Sequence, residues 1–558
     1  MTRTTRLRRA LALAGAAVVA ATGLALSPAG TASAESYVPI SGAGSTWSQN
    51  ALDQWRRNVN QYGMKVNYQG SGSSDGRNQF RNGTIDFAVS EIPYGLSDGG
   101  VVDAPPQRKY AYMPIVAGGT SFMYNLKIGG KRVTNLRLSG DNIAKLFTGV
   151  ITRWDDPALK ADNPGLQLPA RKVVPVVRSD GSGTTAQFST YLSKRHAGVW
   201  DAYCRQAGRS TPCGVTSNYP VVSGKGFVAQ SGSLGVSGYV AQSQSEGAIT
   251  YVEYSYALNT GFPVAKMLNN GGYYVEPTAS NVAVGLLQAR INTDEASPQY
   301  LTQILDGVYD STDSRSYPMS SYSYIILPTE AAGTFNTSKG RTLGDFAYYF
   351  LCEGQQQAPV LGFSPLPINL VQAGLDQVRK IPGVDTKTVD ITKCNNPTFS
   401  ANGENTLAKN APKPPACDRK GTTQCGTGTG GATRTPTTAT GGSAAGGGTT
   451  TGGTTTTGGT TTTGGTTTTG GTVTGGTVTT PGLTPGTTTV VDPDTGAVVS
   501  TGSQGEVLAG GEVVSAVPVS LTGGADGMRG ALMGLSVLML LVLVVVPPLL
   551  SRRLRADA

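Results

Sequence analysis

The chain repeats one pattern of hydrophobic and polar positions three times: an apolar run, a Gly/Ser/Thr loop, and a segment with helical spacing. The loops are SGAGST (41–46), QGSGSS (69–74) and RSDGSGT (178–184). Segments after them, such as WSQNALDQWRRNV, place apolar residues as an amphipathic helix does, whereas IDFAVS and YSYIILPT are typical of strands. This alternation predicts an α/β fold with mainly parallel sheets, in which ligands bind beyond the carboxyl ends of strands.

Three later segments carry further predictions. The run GAITYVEYSYAL is typical of a strand, and TLGDFAYYFLCEGQQQAPVLG predicts a helix closed by its last glycine. The segment VVDPDTGAVV predicts a small hairpin around an Asp-Gly-type turn.

Composition divides the 558 residues into a globular part and a low-complexity part. Residues 35–395 mix apolar, polar and aromatic positions and suffice for two lobes. From about residue 417 to 521 Gly and Thr dominate, and Gly pairs recur every six residues between 452 and 471. Such a repeat buries no apolar face, so residues 396–530 are predicted to form a disordered linker.

Both ends of the chain carry targeting segments. Basic residues, an apolar run and the small-residue site Ala32-Ser33-Ala34 predict a signal peptide over residues 1–34, and therefore export. Residues 531–550 are uncharged and long enough to cross a bilayer as a helix, and the basic tail 551–558 predicts a cytoplasmic C-terminus. A cleaved sorting signal is the alternative, but no convincing sorting pentapeptide precedes the run.

The net charge of +9 is concentrated at these two ends. The first ten residues contribute +4 and the last eight +2, which leaves +3 for everything between. Because the basic excess belongs to targeting segments, a nucleic-acid partner is not expected.

All six cysteines lie after the signal, as expected of an exported, disulfide-bonded protein. Six cysteines allow 15 pairings, and the sequence does not choose strictly among them. Short spacing favours two pairs and leaves a third: Cys204–Cys213, Cys417–Cys425 and Cys352–Cys394. A metal site is not expected, because the chain has one histidine, His196 at a predicted exposed helix end, and no CxxC pair. No cofactor is predicted either.

The three Gly/Ser/Thr loops suit an oxyanion. Helix N-termini leave backbone N–H groups unpaired and carry partial positive charge. Glycine lets the backbone approach a bound ion, and Ser and Thr hydroxyls add donors without charge. One such loop also serves as a plain turn or cap, whereas three at helix starts predict an anion site.

Two charged residues refine this prediction. Arg178 offers donors that match a tetrahedral oxyanion, although a salt bridge with Asp180 could also merely stiffen the loop. Glu91 follows IDFAVS and can accept a hydrogen bond from a protonated ligand. Phosphate keeps a proton at neutral pH and sulfate does not, so a carboxylate acceptor favours phosphate.

Five segments resemble the ligand loops and flanks of the phosphate-binding proteins of Pst-type ABC uptake systems: GAGSTW, VNYQGSGSS, IDFAVSEIP, RSDGSGTTAQFSTYL and GAITYVEYSYA. The resemblance covers about residues 36–380 in matching order. It implies a type II periplasmic-binding-protein fold, in which two α/β lobes joined by hinge strands close over phosphate. The first lobe would combine residues 36–118 and 255–395, and the second would span 119–254.

The resemblance also implies a ligand set. The residues carried over by position are Thr46, Trp47 (through its backbone N–H), Ser73, Glu91, Arg178, Ser182, Gly183 and Thr184. The family typically has Asp at the position of Glu91 and a small residue at that of Asp75, and both departures bear on affinity and ligand choice. Trp47 stands for the usual Phe and Ser48 for the usual Pro, and both replacements are compatible with the implied site.

These inferences predict an exported, membrane-anchored monomer that binds inorganic phosphate and delivers it to ABC permease subunits. The alternative from another class is a surface-anchored phosphate sensor or cell-wall interaction protein, which the long linker and the anchor suggest. An enzyme such as a phosphatase is not expected, because Ser182 lacks a Gly-x-Ser-x-Gly elbow and a histidine nearby in the sequence.

Overall fold

The computed structural model describes most of the predicted globular part and a stretch beyond it. The described residues are 37–98, 101–297, 299–387, 390–391, 394, 396–400 and 402–437, together with the backbone of 489–491 and 498–500. The predicted signal peptide (1–34), membrane span (531–550) and tail (551–558) lie outside them. Within the described ranges, no helix combines the length and the apolar character that a membrane crossing requires.

Strands and helices alternate along the large unit of the chain, Met1–Gly448. Its strands are β1 (Ile40–Gly44), β2 (Val66–Gln69), β3 (Phe87–Ser90), β4 (Ser97–Asp98), β5 (Val101–Val102), β6 (Tyr110–Tyr124), β7 (Lys127–Ile128), β8 (Lys131–Arg132), β9 (Arg137–Leu138), β10 (Val174–Arg178), β11 (Val228–Gln230), β12 (Ala248–Glu253), β13 (Lys266–Leu268), β14 (Tyr274–Val275), β15 (Arg290–Ile291), β16 (Gln303–Ile304) and β17 (Ser320–Pro328). Its helices are α1 (Gln49–Asn60), α2 (Ser73–Arg81), α3 (Gly140–Phe147), α4 (Pro157–Asp162), α5 (Gly183–Arg195), α6 (Ala197–Gln206), α7 (Gly232–Ala241), α8 (Tyr254–Asn259), α9 (Ala279–Leu286), α10 (Asp306–Tyr309), α11 (Thr337–Leu351), α12 (Ile368–Val378) and α13 (Thr406–Lys409). The alternation confirms the predicted α/β class.

Eight strands form one mixed sheet in the order β11-β10-β12-β6-β17-β3-β1-β2. The pairs at both ends of this order are parallel, since helices connect their strands across the sheet. The three central pairings all involve β6 or β17 and are antiparallel. The prediction of parallel strands is therefore confirmed for the two ends of the sheet, whereas the central strands pair antiparallel.

Two hydrophobic cores lie on the two halves of the large unit. The first contains side chains of β1, β3, β17, α1, α11 and α12, and the second contains side chains of β12, α3, α5 and α6. We call the parts of the chain around these cores the first lobe and the second lobe. Strand β6 joins them, because residues 110–119 pair with β17 and residues 120–124 pair with β12.

The cores correct the predicted lobe boundary at residue 255. Ala265, Met267 and Val275 belong to the second core, and so do Leu305 and Tyr317. Strand β13 pairs with β9 of the second lobe, and this pairing holds the segment there. The chain therefore contacts the first core at Val282 and Leu286 of α9, returns to the second core at Leu305 and Tyr317, and enters the first lobe with β17, later than the resemblance implies.

No predicted element covers β6, the 15-residue strand at the centre of the sheet. Its sequence contains Pro114, Gly118 and Gly119, which interrupt an ordinary strand pattern. The register of its pairing with β17 shifts between Ser323 and Tyr324, opposite Pro114. This bulge accommodates a residue that has no N–H to donate.

Three predicted element boundaries also differ. Strand β1 runs through the glycines assigned to the first loop, because the strands approach closely there: a Cβ on Gly42 would lie 2.2 Å from the Phe87 ring. The run GAITYVEYSYAL changes from strand to helix after Glu253, whose carboxylate caps α8 by accepting the N–H of Ser255 at 2.7 Å. Helix α11 ends at Leu351, before the glycine predicted to close it.

The structure pairs all six cysteines as their spacing favours: Cys204–Cys213, Cys352–Cys394 and Cys417–Cys425. The disulfide prediction is confirmed. His196 lies at the end of α5, as predicted, but it is half-buried, and its Nε2 lies 3.2 Å from the Tyr191 hydroxyl.

The folded part continues beyond residue 395 into the predicted linker. We call residues 402–437 the C-terminal segment. Asp418 in this segment is buried and forms ion pairs with Arg137 (3.2 Å) and Lys266 (2.6 Å) of the second lobe. Helix α13 packs on α9 through Ala408. The segment thus gains its structure from partners in the body of the protein, which its own Gly/Thr-rich composition does not reveal.

The small unit, Thr449–Ala558, contains a described two-stranded hairpin. Strands β18 (Thr489–Val491) and β19 (Val498–Ser500) pair antiparallel, with Val490 opposite Val499. The hairpin predicted in VVDPDTGAVV is confirmed in these strands, while its turn lies outside the described residues.

Candidate anion-binding site

The predicted Gly/Ser/Thr loops lie at the carboxyl ends of strands, each just before a helix. Residues 45–48 connect β1 to α1, residues 70–72 connect β2 to α2, and residues 179–182 connect β10 to α5. A fourth connection of the same kind joins β11 to α7 through Ser231 and is absent from the predicted loops. The carboxyl edge of such a sheet is where a ligand is expected.

Arg178 ends β10 and is only 3% exposed. Its Nε donates to Asp180 Oδ1 at 2.7 Å, and its Nη2 bonds to the other oxygen of the same carboxylate. The remaining Nη1 lies 3.4 Å from Thr184 Oγ1 and 3.5 Å from Ser233 Oγ, which is long for a hydrogen bond. Asp180 therefore orients the guanidinium, and Nη1 is the part that can bind an anion.

Asp180 stays ionised in this arrangement. Burial opposes its charge, but the hydrogen bonds and charge of Arg178 hold the pKa of the Asp180 carboxyl below its ordinary value. The N–H of Gly232, at the start of α7, adds a donor at 2.9 Å. The salt bridge and the anion-binding role considered for Arg178 are thus compatible.

Glu91 follows β3 and is 1% exposed. Its carboxylate accepts hydrogen bonds from the hydroxyls of Ser45 (2.5 Å), Ser73 (2.8 Å) and Ser323. Burial raises the pKa of Glu91, while these hydroxyls and the charge of Arg178 act in the opposite direction. Among the predicted residues, the structure brings Ser73 and Glu91 into direct contact.

Thr46 meets the second lobe through Ser233. Its Oγ1 lies 2.9 Å from Ser233 Oγ and accepts the Ser233 N–H at 3.1 Å. The backbone N–H of Trp47, expected to face the ligand, donates instead to Ser45 Oγ at 3.0 Å. Ser233 Oγ thus lies near both Thr46 Oγ1 and Arg178 Nη1. Ligand binding by Trp47 stays a prediction.

Ser182, Gly183 and Thr184 are buried around the start of α5. Ser182 Oγ accepts the N–H of Thr185 at 3.1 Å, which caps the helix and leaves the hydroxyl proton for another acceptor. A Cβ on Gly183 would lie 1.9 Å from Glu91 Oε2, so only glycine fits there. The carboxylate of the first lobe therefore faces a helix N-terminus of the second.

The two lobes are closed over this cluster. Besides the Thr46–Ser233 pair, the N–H of Ser74 donates to Gly181 O at 3.0 Å. Gln187 Nε2 donates to the backbone oxygen of Glu91 at 2.8 Å. One guanidinium, one carboxylate and several hydroxyls thus meet between the lobes, a set of groups suited to an oxyanion that carries a proton.

Asp75 lies in the first turn of α2, exposed to solvent. Its carboxylate accepts a hydrogen bond from Gln79 Nε2 at 2.5 Å on the same helix. This side chain is therefore occupied on the helix surface.

Comparison with known proteins matches residues 29–353 to the PBP superfamily domain. The phosphate-binding protein PstS of Xylella fastidiosa is 32% identical over 336 residues, which cover 60% of this chain and 83% of that protein. The PstS protein of Methanocaldococcus jannaschii is 30% identical over 364 residues, covering 62% of this chain and 87% of the relative. The chain belongs to the PstS family of the PBP superfamily.

A solved structure, that of the periplasmic phosphate-binding protein PfluDING bound with phosphate, covers 63% of this chain and 100% of its own at 20% identity, with a TM-score of 0.47. The C-terminal segment, residues 402–437, lies beyond the range that matches the PBP superfamily domain.

Three residues of the cluster are absent from the predicted ligand set: Ser45, Ser233 and Ser323. Ser45 lies inside a predicted loop. The run SGSLGVSGYVA around Ser233 also places Gly and Ser before a helix, so the sequence pattern could have identified both serines. Ser323 sits within a strand, where a serine carries no local sign of function. Its role follows only from the contact with Glu91.

Proposed function

We propose that this chain is the substrate-binding component of a phosphate uptake transporter, and that it captures inorganic phosphate between its lobes. The observation that carries the proposal is the meeting of Arg178 and Glu91 in one buried, hydroxyl-lined cluster. The guanidinium supplies the positive charge, and the carboxylate can accept the proton that phosphate retains near neutral pH. The PstS relatives named above support the same ligand and the same role.

The ligand set that we propose is Thr46, Ser73, Glu91, Arg178, Ser182, Gly183 and Thr184. Trp47, predicted from the sequence to donate its backbone N–H, is not included because that N–H donates to Ser45 Oγ. The longer side chain of Glu91, compared with the Asp typical of the family, is accommodated by hydroxyls that reach it from three segments. The added methylene is therefore compatible with a phosphate site.

The proposal is tested by titrating the purified chain with phosphate, arsenate and sulfate while following tryptophan fluorescence. Trp47 is fully buried next to the cluster, and its indole N–H lies 3.3 Å from Thr120 Oγ1 on β6, so movement of the lobes should change its emission. We expect saturable responses to phosphate and arsenate and none to sulfate. A sulfate response as strong as that to phosphate would contradict the role of Glu91.

Arg178→Ala should abolish phosphate binding, because it removes the only positive charge that reaches the described cluster. Arg171→Ala is the matched control, since Arg171 is an exposed arginine of the second lobe paired with Glu246. Thermal unfolding of both variants checks the fold. A folded Arg178→Ala variant that retains its phosphate affinity would contradict the proposed binding site.

We further propose that residues 531–550 anchor the exported receptor to the membrane and that residues 438–530 act as a linker. Phosphate uptake by a deletion strain then separates the two roles considered for such a receptor. Lost uptake supports delivery to an ABC permease. Unchanged uptake with altered phosphate signalling or surface adhesion supports a surface-anchored sensor or cell-wall interaction protein.

We assign no catalytic role to the site. Ser182 Oγ serves as the cap of α5, while His196, the one histidine of the chain, lies at the opposite end of that 13-residue helix, about 20 Å away. Hydrolysis of a phosphate ester by the pure chain, lost in Ser182→Ala, would contradict this assignment.

A further inference from the structure

The two carboxylate oxygens of Glu91 have different surroundings. Oε1 accepts hydrogen bonds from Ser45 (2.5 Å) and from Ser323, both in the first lobe. Oε2 accepts from Ser73 at 2.8 Å and lies 1.9 Å from the position that a Cβ on Gly183 would take. Oε1 is therefore turned toward its own lobe, and Oε2 toward the loop that the second lobe brings to the site.

The direction of the Ser45 hydrogen bond is fixed by its other partners. Ser45 Oγ accepts the backbone N–H groups of Trp47 at 3.0 Å and Ser48 at 3.4 Å. A hydroxyl has one proton and two lone pairs, so with both lone pairs engaged its proton is directed to Glu91. A proton on Oε1 would then face the hydroxyl proton of Ser45. Oε1 is thus held as an acceptor.

Ser323 contributes the second donor to Oε1 from a special position in the sheet. It lies on β17 next to the register shift with β6, where Ser323 pairs with Val116 and Tyr324 with Pro114. The Ser323 side chain is fully buried, and its hydroxyl donates a hydrogen bond to Oε1 of Glu91, which lies 232 residues earlier in the sequence.

We propose that Ser45 and Ser323 are positioning residues that set the anion selectivity of the site: they keep Oε1 an acceptor and leave Oε2 to accept the ligand's proton. This inference rests on the proposed phosphate-binding function. The inference explains how a glutamate can serve in the acceptor position. The hydroxyls of Ser45 and Ser323 fix its longer side chain at Oε1 and leave Oε2 for the ligand.

The protonation of Glu91 gives the inference a pH signature. Burial raises the pKa of Glu91, and the Ser323 hydroxyl is the foremost of the groups that lower it. In the described part of the chain, the charged and titratable groups that face Glu91 are Arg178 at the end of β10 and Tyr68 on β2. Loss of the Ser323 hydroxyl therefore moves the pKa further up. Protonated Glu91 then appears at a higher pH, and its proton, placed on Oε2, can be donated to an anion that has none.

The test is calorimetric titration of the full chain with phosphate and with sulfate between about pH 5.5 and 8.5. For Ser323→Ala we expect phosphate-over-sulfate selectivity to fall about tenfold, since a hydrogen bond to a charged group is lost. Sulfate binding should emerge as the pH falls, at a higher pH than in the unaltered chain. Ser323→Thr keeps the hydroxyl and should restore the selectivity.

Ser321→Ala is the matched control. Ser321 is buried on the same strand, and its hydroxyl has no hydrogen-bond partner among the described residues, so its removal should leave selectivity and pH profile unchanged. Identical selectivity and pH profiles for Ser323→Ala and Ser321→Ala would overturn the inference.

Glu91→Gln provides a second, independent arm. The donors on Oε1 should hold the amide oxygen there, which turns the amide NH₂ into the Oε2 position as a donor. We expect the preference to reverse, with phosphate weakened by at least about tenfold and sulfate strengthened. A Glu91→Gln variant that still prefers phosphate would also overturn the inference.

Failure of the proposed function gives a different result. If the unaltered chain does not bind phosphate, the proposed function fails and this inference fails with it. If the unaltered chain binds phosphate and discriminates against sulfate while Ser323→Ala does so equally well, only the inference fails.

Discussion

Individual hydroxyls decide which groups of the site can donate and which can accept. Thr46 accepts the N–H of Ser233 and shares a hydrogen bond with its hydroxyl, although the two residues belong to different lobes. Ser45 and Ser182 each accept backbone N–H groups at the start of a helix and so have their protons directed elsewhere. The cluster is thus polarised by backbone amides before any ligand enters.

Ser233→Ala should weaken phosphate binding about three- to tenfold, because a hydrogen bond between the lobes is lost while the Ser233 N–H remains. The loss should lie mainly in a faster dissociation rate, since the pair forms only when the lobes are closed. Stopped-flow fluorescence measures both rates. Ser231→Ala, an exposed serine of the same connection, should leave them unchanged; equal dissociation rates in the two variants would contradict the role of Ser233.

Among the elements, the hairpin of β4 and β5 reaches from the first lobe to the second at the rim of the cleft. Asp98 on β4 forms an ion pair with Arg209 and accepts the Thr216 hydroxyl at 2.7 Å and the Ser217 N–H at 3.2 Å. These partners follow α6 in the second lobe, and the Cys204–Cys213 disulfide joins the end of that helix to the segment leading into them. The hairpin therefore bridges the two lobes, and we expect these contacts to stabilise their closed arrangement.

Asp98→Ala should weaken phosphate binding about threefold to tenfold by favouring the open lobes, although Asp98 lies outside the ligand cluster. Asp376→Ala is the matched control, because it removes one exposed carboxylate of the first lobe whose partner, Arg379, follows on the same helix end. Phosphate titrations of both variants distinguish the loss of contacts between the lobes from the loss of one negative charge. Equal phosphate affinities in the two variants would contradict a role of Asp98 in closure.

Across the whole molecule, the C-terminal segment makes the folded body larger than the matched PBP domain. Its Asp418 neutralises Arg137, which is fully buried in the second lobe, and also pairs with Lys266. The N–H of Gly430 donates to Glu276 Oε1 at 2.6 Å, and Thr429 bonds to the backbone of Val264 and Thr134. These contacts attach residues 418–430 of the segment to the second lobe, while α13 packs on α9, so the segment belongs to the folded body rather than to a linker.

Asp418→Ala should destabilise the protein by about 3–5 kcal/mol, because it leaves a buried guanidinium without its counter-charge. Asp376→Ala breaks the exposed pair with Arg379 and should cost about 0–1 kcal/mol. Denaturant unfolding of the two variants compares a buried with an exposed ion pair. Equal losses would show that the C-terminal segment contributes little to the fold.

The sequence by itself determined the features that depend on neighbouring residues. Glycines and hydroxyl residues before helices mark the three loops, and the structure places them at the carboxyl ends of strands. Short spacing favoured the disulfides Cys204–Cys213 and Cys417–Cys425, because residues close in a chain meet easily, and it left Cys352–Cys394 as the remaining pair. Arg178 and Glu91 could be identified because a charge at the end of an apolar strand has few structural uses.

Only the tertiary structure decided how distant parts combine. Ser233 lies 187 residues from Thr46 and Ser323 lies 232 residues from Glu91, so no local pattern links them. Strand β6 was not predicted, because Pro114 interrupts the strand pattern in its sequence. The register shift in its pairing with β17 accommodates this proline. The C-terminal segment looked disordered because composition measures what a segment can bury alone, whereas its order comes from Arg137, Lys266 and other partners more than 100 residues away.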